Sequence, residues 1–143
     1  DAHYWVPSGM PGEVYDRDRQ ISFVNDNFNR LTTRVRQLQT GVRWAQTPPS
    51  PMRRVVSNIE LLELPAATEC VVGSNFVLYE LSAQATNDLR VWAGRATHRL
   101  RRLPPSPIDT PADPPAADGW HMVSKVVELV NASQPLPNLA FLL

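Results

Sequence analysis

The side chains best suited to binding an anionic partner in this sequence are its arginines. The chain has 143 residues with 14 basic and 14 acidic side chains, so its formal net charge is zero. Lys125 is the only lysine, and every other basic residue is an arginine. A guanidinium group is planar and binds carboxylates or phosphates through paired hydrogen bonds. We therefore treat the arginines as the first candidates for a contact with RNA or DNA.

The candidate arginines fall in two segments that we predict to be helical. Arginines on two such helices allow two interpretations of their role. If both helices turn these faces to one side, the guanidinium groups form a track for phosphates, and binding depends strongly on salt. The zero net charge favours the other interpretation, in which solvated helix faces pair with Asp and Glu. The candidates are Arg34 and Arg36 in the first segment and Arg90, Arg95, Arg99, Arg101 and Arg102 in the second.

Groups that could perform catalysis or bind a metal show no recognisable spacing. His3, His98 and His121 are far apart, and none belongs to a metal-binding motif. Cys70 is the only cysteine, and we interpret it as a small buried apolar residue. No nucleophile or phosphate-loop motif occurs, and no carboxylates are paired for acid–base chemistry. We predict a protein that is not an enzyme, with no metal, no cofactor and no identifiable small-molecule substrate.

The single cysteine and the hydropathy pattern also limit where in or outside the cell the protein can be expected. One cysteine cannot form an intrachain disulfide, which favours an intracellular protein or a virion component over a disulfide-stabilised secreted protein. No apolar run approaches the roughly 18 residues that a membrane-spanning helix requires. We therefore expect no membrane span.

A proline-rich stretch follows the second arginine cluster. Arg101, Pro104 and Pro107 match the RxxPxxP pattern of peptides that bind SH3 domains. Such peptides form a polyproline helix before binding, which lowers the entropic cost of the complex. The alternative is that these prolines only terminate a helix.

An apolar stripe occupies residues 21 to 44, with gaps that alternate between three and four residues. This spacing predicts one face of a helix. The stripe either packs against the segment 75–103 of its own chain or forms the seam of an oligomeric coiled coil. Its residues are Ile21, Val24, Phe28, Leu31, Val35, Leu38 and Val42.

These segments predict a mainly α fold, a bundle of three or four helices with irregular arms at both ends. We expect an irregular arm over 1–15 and a single helical domain over 16–143. That domain would include a mobile proline-rich loop at 104–117 and an apolar tail at 134–143. Residues 53–72 are either helix or strand, so the alternative is an α+β fold with a small sheet there.

Arms, a mobile loop and an apolar tail are features of subunits that exchange contacts with neighbours. The leading hypothesis is a non-enzymatic structural subunit that self-associates or binds other protein subunits. The combination of a helical bundle, arginine-bearing helices and a mobile loop resembles the coat proteins of rod-shaped plant viruses. That resemblance implies a viral coat or particle protein that contacts nucleic acid. The alternative is a helical adaptor that presents its proline motif or a helix face to a partner protein.

Overall fold

A computed structural model describes residues 2–9, 16, 18–41, 48–82, 87–102, 119–137, 139 and 141–143. Within these residues the chain forms six strands and one helix. In chain order they are β1 (His3–Pro7), β2 (Ser22–Asn27), α1 (Phe28–Gln39), β3 (Met52–Ala66), β4 (Glu69–Ser82), β5 (Asp88–Arg102) and β6 (Trp120–Leu129).

All of the strands join one sheet in the order β2-β1-β6-β5-β4-β3. The last four in that order form an antiparallel meander of long strands. The short strand β1 lies between β6 and β2, and its pairing with β6 is parallel. Residues from the two ends of the sequence therefore meet in the middle of the sheet.

The helix α1 follows β2 directly and is anchored at its start. The Asn27 side chain accepts a hydrogen bond from the Arg30 backbone N–H at 3.1 Å, which satisfies a donor that the first turn of a helix leaves unpaired. Arg34 then donates to the buried Asp26 carboxylate at 2.7 Å. This ion pair holds α1 against β2.

The core lies on one face of the sheet, which we call the inner face. Alternate residues of the strands point into it, as period-two side-chain placement requires. The last residues of the sequence close the core, because Leu139, Phe141 and Leu143 are buried against the strands. Phe141 contacts the Trp92 ring edge-on, with centroids 5.8 Å apart. The strand residues of the core are Tyr4, Val6, Val24, Phe76, Leu78, Trp92, Ala96, Val127 and Leu129.

The prediction of a mainly α bundle is wrong. Residues 75–82 and 88–102 are strand rather than helix: Phe76, Leu78, Trp92 and Ala96 are separated by even numbers of residues within their strands and all face the core. The smaller sheet of the alternative prediction also understates the structure, since residues 53–72 supply only β3 and the start of β4.

The structure describes parts of the predicted arm and of the predicted apolar tail. Residues 3–7 of the expected arm form β1, and Leu139, Phe141 and Leu143 of the expected tail are core residues. The proline-rich loop at 104–117 lies outside the described residues. In the part of the chain that is described, no helix is both long and apolar enough to cross a membrane.

Candidate subunit interface

The strand β3 is the long edge of the sheet. It covers Met52 to Ala66, and all of its residues except the first are exposed. Among the described residues, β4 is the only strand that pairs with it. Its six large apolar side chains are between 44% and 72% exposed, so the described part of the chain leaves both faces of this strand uncovered. They are Val55, Val56, Ile59, Leu61, Leu62 and Leu64.

A second apolar surface lies on the outer face of the sheet, opposite the core. Tyr79 pairs with Val91, and Leu81 pairs with Leu89, in adjacent antiparallel strands. These four side chains are between 37% and 64% exposed, and Val55 of β3 lies beside them in register with Val77. We call Val55, Tyr79, Leu81, Leu89 and Val91 the outer apolar patch. Contiguous exposed apolar residues of this kind mark sites of protein–protein contact.

Ion pairs occupy the other end of the same outer face. Arg95 donates to Glu60 at 2.6 Å, and Arg101 donates to Glu69 at 2.6 Å, with Arg99 3.7 Å from the same carboxylate. These side chains are partly exposed, so each pair contributes at most about 1 kcal/mol to stability. The outer face thus has an apolar end and a charged end, the composition of an interface with a polar rim.

The candidate arginines do not lie on two helices. Arg90, Arg95, Arg99, Arg101 and Arg102 are all in β5, where alternate residues point to opposite faces of the sheet. Three of these five form the ion pairs of the outer face. Arg34 and Arg36 are in α1, where Arg34 pairs with Asp26 and Arg36 is an exposed residue of the last turn. The structure therefore divides these residues among several surfaces.

The apolar stripe at 21–42 is divided between a loop, a strand and a helix. Ile21 is exposed before β2, and Val24 is buried in that strand. Phe28, Leu31, Val35 and Leu38 are in α1, where Leu31 packs against the core and Phe28 and Val35 are exposed. Val42 lies outside the described residues. Within the described chain, Leu31, Val35 and Phe28 line a shallow cleft with Ala2.

The proline motif is described only at its first residue. Arg101 is the penultimate residue of β5 and donates to Glu69, while Pro104 and Pro107 lie outside the described residues.

A polar cluster inside the sheet was not anticipated from the sequence. The ammonium group of Lys125 donates to the Leu143 carbonyl oxygen, and the Leu143 N–H donates to the Tyr4 hydroxyl at 3.0 Å. Burial lowers the pKa of Lys125 to about 8, with a smaller contribution from the nearby charge of Arg54. Burial also raises the pKa of Tyr4 to about 12. The cluster ties the last residues of the sequence to β1 and β6.

The described residues contain no cluster of His, Cys, Asp and Glu that could hold a metal ion. Burial and the charges of Lys125 and Arg54 lower the pKa of the half-buried His98, which favours its neutral form. Glu80 is buried and accepts a hydrogen bond from the Trp92 indole at 2.9 Å, a packing role inside the core. The functional features that can be defined among the described residues are the two exposed apolar surfaces of the sheet.

Comparison with known proteins identifies the class of subunit to which these surfaces belong. The family model described as ring hydroxylating beta subunit matches residues 1–108. The subunit beta of a 3-phenylpropionate/cinnamic acid dioxygenase from Photorhabdus laumondii is 26% identical over 147 residues, covering 99% of this chain and 74% of that protein.

Two solved structures share the fold. A naphthalene 1,2-dioxygenase structure with bound indole matches with a TM-score of 0.71 and 18% identity, over 99% of this chain and 69% of the matched chain. The beta subunit of a benzoate 1,2-dioxygenase from Burkholderia mallei matches with a TM-score of 0.63 and 20% identity, over 98% and 76% of the two chains.

These matches correct the functional predictions. A viral coat protein, a virion location and an SH3-binding adaptor are wrong, because the family consists of subunits of ring-hydroxylating enzymes. The prediction of a protein that is not an enzyme is wrong, because the family consists of subunits of enzyme complexes. The expectation of a protein that acts together with other subunits agrees with the family. The chain belongs to the family of ring-hydroxylating beta subunits.

Proposed function

We propose that this chain is the β subunit of an intracellular dioxygenase that hydroxylates aromatic rings. On this proposal it binds, through its outer apolar patch, a second subunit that carries the active site. Family membership over residues 1–108 supports the first part. The name of the Photorhabdus relative, a subunit of a dioxygenase for phenylpropionate and cinnamic acid, suggests an aromatic substrate.

The observation that carries the subunit contact is the pairing of exposed apolar residues on the outer face. Tyr79–Val91 and Leu81–Leu89 are cross-strand pairs, so their side chains stand on one surface about 5 Å apart. Removing such a surface from water stabilises a complex by about 25 cal/mol per Å² before the costs of association. The ion pairs of Arg95 and Arg101 would border this contact, where charged residues add specificity more than affinity.

Co-purification with the catalytic subunit of the same dioxygenase tests the proposal. We expect the wild-type chain to retain that subunit, and ring hydroxylation of an aromatic acid to require both. Leu89→Lys places a charge in the outer apolar patch and should reduce co-purified partner at least about tenfold, since a buried unpaired charge costs several kcal/mol.

Ile21→Lys is the matched control, because Ile21 is 83% exposed and lies outside the patch. It should leave both binding and hydroxylation unchanged. Equal retention of the partner by Leu89→Lys and Ile21→Lys would refute the assignment of the patch. Failure of the wild-type chain to bind any catalytic subunit would refute the proposed function itself.

A further inference from the structure

A row of titratable side chains crosses the inner face of the sheet. His98 of β5 is in register with Lys125 of β6, and Lys125 is in register with Tyr4 of β1. Residues in register on neighbouring strands turn their side chains to the same face of a sheet. Tyr4 belongs to the core, so Lys125 and His98 also lie on the inner face, and Asp26 of β2 is the register partner of Tyr4 on its other side. The polar row is therefore His98, Lys125, Tyr4 and Asp26, with its one carboxylate farthest from His98.

Two cations on this face bind the main chain of the last residues of the sequence. The ammonium group of Lys125 donates to the Leu143 carbonyl oxygen, and Nη2 of Arg54 donates to the Leu142 carbonyl oxygen at 3.4 Å. The Leu143 N–H donates to the Tyr4 hydroxyl at 3.0 Å, so three polar contacts hold this segment over the polar row. The segment, which we call the clasp, consists of Leu139, Phe141, Leu142 and Leu143.

The positive charges that bind the clasp also act on His98. Burial lowers the pKa of His98, and the charges of Lys125 and, less strongly, Arg54 lower it further. Within the described part of the chain, Lys125 and Arg54 form no salt bridge, and the Asp26 carboxylate is bound by an arginine of α1 at 2.7 Å. The neighbour of His98 on β4 is the apolar residue Val72. A proton on His98 therefore adds a third positive charge where the described residues offer no free carboxylate.

From this arrangement we propose that the clasp is a pH-sensitive switch, docked while His98 is neutral and released when His98 is protonated. Release admits water to the polar row, and water solvates the new charge. Release also frees Lys125 and Arg54 from the Leu143 and Leu142 carbonyl oxygens, so the three cations can move apart. Repulsion between like charges is stronger in a partly buried site than in water, which makes the docked state the one that protonation disfavours.

The pH range of the switch follows from the direction of the pKa shift. The released state binds the proton more tightly, because the pKa of His98 is lowered from 6.5 in the docked state. Docking is therefore complete above about pH 7 and weakens as the pH falls through 6.5. Lys125 is mainly protonated throughout this range, since its pKa is about 8, so its own titration adds little to the change.

Hydrogen exchange of the Leu143 amide in the full chain tests the switch. Protection factors correct for the intrinsic pH dependence of exchange and report the opening of the clasp. Between pH 7 and pH 5 the wild-type protection factor should fall by at least about threefold and at most about 25-fold, the limit set by a released histidine of ordinary pKa. In His98→Gln it should change by less than about twofold, because the neutral amide does not titrate. His121→Gln, which removes an exposed histidine of β6, should behave as the wild type.

An NMR titration of the His98 ring keeps the test decisive if a variant folds poorly. The wild-type ring should titrate below pH 6.5. Lys125→Met should raise the pKa of His98, because it removes the stronger of the two repelling charges. Arg36→Met, which removes an exposed charge at the end of α1, should leave this pKa unchanged. A clasp with a purely structural role would not make the titration of His98 depend on Lys125.

A Leu143 protection factor that falls equally in His98→Gln and the wild type would overturn the proposal. So would a loss of protection in the amides of β4 over the same pH range, since that would indicate global unfolding instead of release of the clasp. This inference goes beyond the proposed function, because the clasp lies on the inner face and the outer apolar patch on the opposite face. His98→Gln should leave co-purification of the catalytic subunit intact, and Leu89→Lys should leave the pH dependence of Leu143 protection intact, so failure of one proposal is distinguishable from failure of the other.

Discussion

Gly94 of β5 lies close against the backbone of β6, and replacing it tests how tightly these two strands pack. A Cβ atom at this position would be 2.1 Å from the Glu128 carbonyl oxygen and 3.1 Å from the Leu129 Cα. Heavy atoms in contact are about 3.5 Å apart, so β6 must move by about 1.4 Å. Both obstructing groups belong to the main chain, so no side-chain rotation can relieve the overlap.

The expected destabilisation follows from that displacement. A shift of this size breaks about two ladder hydrogen bonds between β5 and β6, each worth about 0.5–1.5 kcal/mol. Overpacking of the core adds about 1–3 kcal/mol. Alanine returns about 0.4–1 kcal/mol by restricting the unfolded chain. We therefore expect Gly94→Ala to lower the free energy of unfolding by about 2–4 kcal/mol.

Gly73→Ala is the matched control in the adjacent strand. Its Cβ would be 2.5 Å from the Nη2 atom of Arg95, the mobile end of a side chain that can swing into solvent. This displaces an exposed ion pair worth at most about 1 kcal/mol, which the restricted unfolded chain offsets. The free energy of unfolding should therefore change by less than about 0.5 kcal/mol.

Urea unfolding followed by tryptophan fluorescence measures both changes, since Trp92 is buried in the core. Hydrogen exchange of the amides in β6 should rise in Gly94→Ala and not in Gly73→Ala. Equal stability of the two variants would refute the close approach of β5 and β6.

Three further predictions concern the buried polar groups and the helix cap. Between about pH 8 and 10 the free energy of unfolding should rise with pH, because the pKa of Lys125 is lowered from 10.5 to about 8 on folding and the unfolded chain binds more protons. From about pH 10 to 12 the free energy of unfolding should fall, because folding raises the pKa of Tyr4 from 10.0 to about 12. Urea titrations at a series of pH values measure both changes. Lys125→Met should remove the increase in stability above pH 8, and Tyr4→Phe should reduce the decrease above pH 10. Trp92→Phe should destabilise the protein by about 2–4 kcal/mol, since it leaves the buried Glu80 carboxylate without the indole donor, and loss of less than about 1 kcal/mol in thermal unfolding would contradict that role. Asn27→Ala should cost about 1 kcal/mol through the lost helix cap, whereas Asn27→Asp should retain the stability in the same assay.

The sequence shows which segments are rich in apolar residues, but it does not reliably show whether those segments are helix or strand. The alternating gaps from Val24 to Leu38 suggest one long helix, but Val24 belongs to β2 and Phe28 begins α1. A strand that runs directly into a helix can continue a spacing of three and four residues by coincidence, and periodicity over three heptads does not separate the two cases. Within that stripe the helical segment from Phe28 was identifiable from its own spacing.

The long strands do not show the sequence pattern of strands, because their outer faces are also apolar. Strands with one solvated face alternate polar and apolar residues, which is the signal that identifies them. In β4 the sequence Phe76-Val77-Leu78-Tyr79 has no such alternation, because the apolar residues Val77 and Tyr79 face outward, Tyr79 as part of the outer apolar patch and Val77 next to it. The outward-facing apolar residues of the candidate interface thus remove the alternation by which β4 could be identified as a strand. The function can be identified only from the family relationship, because no short motif in this sequence indicates it.

The parallel pairing of β1 with β6 determines when this protein can finish folding during synthesis. Tyr4 lies in register with Lys125, and its hydroxyl accepts a hydrogen bond from the Leu143 N–H. The strand β1 therefore cannot complete its native contacts until β6 and the residues up to 143 have been synthesised. The antiparallel meander of β3, β4 and β5 has only local pairings and can form earlier. For that interval the ribosome-bound chain presents an apolar meander with an open edge on both sides. Productive folding therefore competes with aggregation until residues 120–143 have been synthesised, and supply of the partner subunit at that moment would favour the native assembly.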